Sequence, residues 1–152
     1  MFRSNSKKKR KRILIIGSNS FSGSNLVDHL LDKKYLVMGI SRSSEKILAL
    51  RSYAKNKYLK NFNFIKIDLN KPKKKDLKKI ILFNPKIIFN FSAQGMVAES
   101  WKNPDHWFQT NIVAQSKLLK FIQNNLNIEK YIQFTTPEVY GSTVNKIKES
   151  YK

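Results

Sequence analysis

A short β-branched run, Ile13–Ile16, stops at Gly17, and a second glycine follows after five intervening residues: Gly17-Ser18-Asn19-Ser20-Phe21-Ser22-Gly23. This arrangement constrains the chain more than any other feature. The run is short and continuously apolar, as a strand buried on both faces is. Behind the turn, residues 21–33 place Phe21, Leu26, Leu30 and Leu31 at near-helical spacing, which predicts a helix. Gly17 permits a tight turn, and Gly23 permits close approach of helix and strand. A helix starting there offers free N–H groups and a positive dipole end to a pyrophosphate. Ser20 stands where the dinucleotide pattern has glycine; it crowds the phosphate but can donate a hydrogen bond. Small residues in such a turn also serve packing in folds that bind nothing, so the turn alone leaves both readings open.

The alternation continues down the chain. Residues 35–40 form a second apolar run, 44–59 are weakly helical, and Phe62–Ile67 alternates and ends in Asp68-Leu69. Residues 73–82 read as a very basic helix closed by Pro85; 86–92 is a fourth strand, 104–126 a long helix, and 130–135 a fifth strand. Apolar strands alternating with helices predict an α/β fold, a doubly wound parallel sheet covered on both faces with right-handed crossovers. Ligands of such sheets bind at the carboxyl ends of the strands, so the residues that follow each strand carry the functional reading.

Charge raises a competing idea. The formal net charge is +20, but residues 1–12 hold seven basic residues and no acidic one. Lys71, Lys73, Lys74, Lys75, Lys78 and Lys79 form a second cluster. Neither run interleaves aromatics that could stack bases, so residues 1–11 read as a basic disordered arm and nucleic acid is not an expected partner. No cysteine is present and only two histidines are, which excludes thiolate chemistry and makes a metal centre unexpected. No apolar run approaches the roughly 20 residues of a membrane span, and the basic start is not followed by an apolar signal segment. The expected location is the cytoplasm.

After the second strand the chain reads Met38-Gly39-Ile40-Ser41-Arg42-Ser43-Ser44. The acid that often holds ribose hydroxyls here is replaced by Ser41, and Arg42 follows. A guanidinium beside hydroxyls suits a 2′-phosphate, favouring NADP over NAD; an ordinary surface cation is the alternative. Asn90-Phe91-Ser92-Ala93-Gln94 follows the fourth strand, Asn111 lies inside the long helix, and Phe134-Thr135-Thr136-Pro137-Glu138-Val139-Tyr140-Gly141 closes the fifth.

Together these stretches resemble the extended short-chain dehydrogenase/reductase family, in its nucleotide-sugar epimerase and 4,6-dehydratase branch, over about residues 12–150. The resemblance implies a Rossmann fold and a set of roles. Gly17, Asn19, Ser20, Phe21, Ser22 and Gly23 match the pyrophosphate turn. Ser41 and Arg42 match the adenosine ribose end, and Asp68 and Leu69 the adenine contact. Phe91, Ser92, Ala93 and Gln94 match the segment lining the cofactor, and Asn111 and Thr135 are further cofactor-binding residues in the same resemblance. Thr136 matches the hydroxyl that binds the sugar's 4-oxygen, and Gln94 and Glu99 fall toward the sugar. Glu138 stands where the dehydratase branch has the base that removes the carbon 5 proton.

The implied activity is an NAD(P)-dependent 4,6-dehydratase acting on a nucleoside-diphosphate hexose such as GDP-mannose or dTDP-glucose. A 4-epimerase or 4-keto reductase of the same family is the alternative, and a non-catalytic nucleotide-binding module a further one. The family's proton transfer uses Tyr-x-x-x-Lys; Tyr35, Tyr58, Tyr131 and Tyr140 have no Lys four residues on, and Tyr53, which has Lys57, lies before the third strand and not after the fifth. The expectation is therefore a cofactor domain over residues 12–152, cut before its sixth strand, catalytic pair and substrate domain, and inactive alone. Dimerisation through the long helices is common in the family, so the resemblance implies a homodimer.

Overall fold

The computed structural model describes residues 10–142 and 144–149, apart from the side chains of Pro137 and Glu138. The predicted arm lies outside the described residues over 1–9. Five strands, β1 (Arg12–Ile16), β2 (Leu36–Ser41), β3 (Phe62–Lys66), β4 (Ile87–Asn90) and β5 (Lys130–Gln133), form one parallel sheet in the order β3-β2-β1-β4-β5. The chain works outward from β1 to one edge, then returns to β4 and builds the other. The switch in direction falls between β1 and β4, where a doubly wound sheet opens its ligand crevice.

Period-two geometry divides each strand between two cores. Ile13 and Ile15 of β1 join Val27, Leu30 and Leu31 of the helix α1 (Phe21–Asp32). Leu14 and Ile16 face the other way, toward Ile80 of α2 (Lys74–Phe83) and Leu118 and Ile122 of α5 (Ala114–Asn125). Continuous apolar sequence is thus what a strand covered on both sides needs. The turn Lys33–Lys34 closes α1 with Lys34 at φ +62, and Asn84 at φ +48 ends α2 just before Pro85.

Several expectations change. Residues 44–59 are not a helix: the segment holds a 3₁₀ turn at Leu48–Leu50, and another, Leu59–Asn61, begins at its end. Bonds to α1 replace helical ones there, with Ser52 N–H donating to Ser24 Oγ (3.0 Å) and Asn56 Nδ2 to Asp28 Oδ1 (2.7 Å). Tyr53 anchors the segment, 2% exposed and tilted against Phe62 at 4.6 Å. Phe21, read as part of the apolar face of α1, is 84% exposed because it opens the helix at the rim of the sheet. Trp101, whose place before the long helix suggests a packing residue that caps it, is also exposed. The long helix itself is α4 (Pro104–Phe108), a π turn (Gln109–Val113) and α5, preceded by the short α3 (Val97–Lys102). Among the described residues no helix is long and apolar enough to cross a membrane.

Candidate functional site

The pyrophosphate-type turn is built as its residues dictate. Gly17 takes φ +80, a conformation that side chains disfavour. Its N–H and that of Ser18 both donate to Ile40 O, at 2.8 and 3.2 Å, tying the turn to the end of β2. A Cβ on Gly17 would lie 3.0 Å from Phe91 C, and one on Gly23 2.5 Å from Gly17 O. Both glycines are therefore fixed by close approach of backbone to backbone. Ser20 caps α1, its Oγ accepting from Gly23 N–H at 3.0 Å. This leaves the hydroxyl proton of Ser20 uncommitted, together with the N–H groups of Phe21 and Ser22.

Asn19 binds the turn to the end of β2 from the other side. Its N–H donates to Ser41 Oγ (3.0 Å), and its Nδ2 to Ser43 Oγ (3.0 Å) and Ser44 O (2.8 Å). At β3, Asp68 Oδ1 accepts from Asn70 N–H (2.9 Å), leaving Oδ2 and the Leu69 N–H without partners. Asn70 Nδ2 reaches Thr110 Oγ1 at 3.2 Å, while Asn70 Oδ1 is buried with no partner.

The loop after β4 is gripped by two amides from the long helix. Asn111 Oδ1 accepts from Gln94 N–H (2.8 Å) and Asn111 Nδ2 donates to Gln94 O (3.0 Å). Gln115, one turn on, donates from Nε2 to Ser92 O (3.1 Å) and Ser92 Oγ (3.0 Å). Beneath them Asn90, fully buried, donates from Nδ2 toward Gln115 Oε1 (2.8 Å), Tyr131 Oη (2.7 Å) and Gln133 Oε1 (2.9 Å). Burial holds the Tyr131 hydroxyl above the ordinary tyrosine pKa, with the Asn90 bond working the other way.

These loops enclose a cleft of about 370 Å³ over the carboxyl ends of β1, β2, β3 and β4. Of the sequence candidates, Gly17, Asn19, Ser20, Ser41, Arg42, Asp68, Leu69, Phe91, Ser92, Ala93 and Gln94 line it. Asn111 does not; its amide is spent on the Gln94 backbone. Phe21, Ser22 and Gly23 lie behind the rim, in the first turn of α1. Glu99 lines a neighbouring cavity of about 620 Å³ with Lys71, Lys102 and His106. Thr135 and Thr136 follow β5, exposed, beside Phe134, whose ring stacks on Phe91 at 3.9 Å. The side chain of Glu138 lies outside the described residues. Sequence reasoning missed Lys46, Asn70, Thr110 and Gln115, all of which line the cleft. Gln115 had a signal: it follows Asn111 by one helical turn, on the same face.

A family model described as GDP-mannose 4,6 dehydratase matches residues 14–151. Protein CapI of Staphylococcus aureus is 30% identical over 142 residues, 89% of this chain and 40% of that protein. GDP-mannose 4,6-dehydratase of Vibrio cholerae is 29% identical over 138 residues, 87% and 37% of the two chains. Among solved structures, UDP-N-acetylglucosamine 4-epimerase from Methanobrevibacter ruminantium, in complex with UDP-N-acetylmuramic acid, superposes with a TM-score of 0.76 at 30% identity over 95% of this chain and 44% of that one. UDP-glucuronic acid 4-epimerase from Bacillus cereus, in complex with UDP-glucuronic acid and NAD, gives 0.70 at 25% identity over 91% and 44%. The chain spans about two fifths of the length of these relatives.

Proposed function

The chain belongs to the family of NAD-dependent nucleotide-sugar dehydratases and epimerases, and from that premise we propose that its cleft is the cofactor seat of an NAD(P)-dependent nucleotide-sugar 4,6-dehydratase. The observation that carries this reading is the partition of unspent hydrogen-bonding groups around the cleft. At the turn, the Ser20 hydroxyl is a donor on the cleft wall, and the free Phe21 and Ser22 N–H groups open the first turn of α1 behind it, donors of the kind a pyrophosphate requires. At β3, Asp68 Oδ2 is a free acceptor beside the free Leu69 N–H donor, a pair complementary to the amino group and ring nitrogen of adenine. At β2, no carboxylate stands by the ribose position; Arg42 and Lys46 line the cleft there instead, which supports NADP over NAD. The residues present thus fit a dinucleotide.

Bound there, the cofactor supplies hydride acceptance from carbon 4 of the sugar and its return to carbon 6. This chain's own contribution is placement and proton handling. The loop from Phe91 to Gln94 walls the side of the cleft toward β5. Thr136 would hold the sugar's 4-oxygen, and Glu138 would take the carbon 5 proton so that water leaves carbon 6. Gln94 and Glu99 lie toward the sugar. The substrate is a nucleoside-diphosphate hexose such as GDP-mannose or dTDP-glucose. Residues 12–152 act as the cofactor domain behind an arm of residues 1–11, in the cytoplasm. A homodimer through the long helix belongs to the same reading, since Phe108, Ile112 and Leu119 leave apolar surface exposed there.

Calorimetric titration with NADPH and NADH tests the seat. Both should bind, and Arg42→Ala should weaken NADPH about tenfold or more while leaving NADH within about twofold, as the loss of one charge-assisted bond implies. Failure of both to bind the unaltered chain would refute the proposal. The epimerase reading is favoured by solved structures of UDP-sugar 4-epimerases that superpose on this chain. Glu138→Gln in the catalytically complete protein separates the two: elimination should fall by orders of magnitude, and unaffected elimination would remove Glu138 from the mechanism.

A further inference from the structure

Ser92 stands between two amides whose orientations are fixed by backbone groups. Ser92 N–H donates to Asn90 Oδ1 at 2.9 Å, so that atom must be the amide oxygen. Ser92 O accepts from Gln115 Nε2 at 3.1 Å, so that atom must be the nitrogen. The Ser92 hydroxyl touches both, at 2.5 Å from Asn90 Oδ1 and 3.0 Å from Gln115 Nε2. Since Gln115 Nε2 can only donate, the Ser92 proton must go to Asn90 Oδ1. The hydroxyl therefore has one lone pair left and no proton to give. It presents a pure acceptor to the cleft it lines.

We propose that Ser92 Oγ is a specificity-determining acceptor for a sugar hydroxyl of the bound dinucleotide, on the ribose distal to the adenosine. The proposal rests on the cofactor reading above. The cofactor reading gives the position: in it the adenosine falls over β2 and β3 and the pyrophosphate on the turn of β1, and Ser92 follows β4, on the far side of β1 in the strand order. The chemistry gives the partner. An acceptor-only oxygen repels a phosphate oxygen and pairs with a hydroxyl donor, whereas Ser20, whose proton is free, has the polarity suited to phosphate. The two serines differ only in what surrounds them.

Ser92→Ala tests this with ADP and ADP-ribose as probes, which differ by the distal ribose. The variant should fold, because Asn90 Oδ1 keeps the N–H of residue 92 and Gln115 Nε2 keeps its carbonyl; an unchanged melting temperature checks it. ADP-ribose affinity should fall about fivefold in Ser92→Ala, the worth of one neutral hydrogen bond, with ADP affinity unchanged. Equal losses for both probes, or no loss for either, would overturn the inference while leaving the cofactor seat intact. If neither probe binds the unaltered chain, the cofactor reading itself is overturned and the inference with it.

Discussion

A Cβ added at Gly23 would meet not only Gly17 O at 2.5 Å but Ser20 Oγ at 2.9 Å and Ser18 Cα at 3.1 Å. Two of those three atoms are backbone, so nothing flexible can yield. Gly23→Ala should lower stability by about 1–3 kcal/mol, the usual range for overpacking, and displace the cap that aims the turn. Gly95, with nothing within 4 Å of an added Cβ, is the control: Gly95→Ala should melt like the unaltered chain. Tyr53 offers a second measurement. Burial, then the 2.8 Å bond from its hydroxyl to Glu45 Oε1, holds its pKa well above the ordinary 10.0. The unfolded chain releases that proton near pH 10 and the fold does not, so the stability is present below pH 10 and lost as pH rises beyond it. Tyr53→Phe should flatten the fall of melting temperature between pH 9 and 11.5.

Elements differ in how far their sequence reveals them. The strands and three main helices were legible because burial on both faces writes continuous apolar runs in β1 and β2, the outer strand β3 alternates, and burial of one helix face writes helical spacing. Segment 44–59 was not, because its conformation follows from side chains on α1 that no local pattern encodes. Site residues divided in the same way. Those at or just past the end of a strand, such as Ser41, Asp68 and Ser92, could be found by position. Gln115 and Thr110 enter the cleft only because the helix crosses the β4 loop, and that is a tertiary fact. Asn111 shows the same limit in reverse, since its place was evident and its hydrogen bonds to Gln94 were not. The π turn around it, a feature that recurs near functional sites, carries that grip. Asn111→Ala leaves the Gln94 N–H and carbonyl without these partners, an expected cost of about 1–3 kcal/mol. Affinity for ADP-ribose should drop more than affinity for ADP, because the loosened loop adjoins β4 and not β2.

Across the whole molecule, the large positive charge acts through its placement. The Lys11–Glu129 pair, 2.8 Å apart, leaves both side chains about half exposed, and such pairs contribute little in salt. Lys71 lies on the wall of the cavity beside the cleft, and Lys73, Lys74, Lys75 and Lys78 continue from it, exposed and, among the described residues, without an acidic partner. A positive approach of this kind raises the association rate of an anionic ligand without changing its contacts. Replacing Lys74, Lys75 and Lys78 by glutamate should slow NADPH association severalfold at low ionic strength in stopped-flow fluorescence. The difference should vanish near 0.5 M salt, where the screening length is a few ångströms.

The strand order has a consequence for opening and closing. Among the described residues β1 is paired on both sides, with the glycine turn following it, and β5 is paired with β4, with Thr135 and Thr136 following it. Backbone amides of β1 should exchange with deuterium only on global unfolding, and those of β5 through smaller openings. The segment after β5 can then open while the turn after β1 stays in place, so a ligand held mainly by that turn would remain seated while its other end is exposed to exchange.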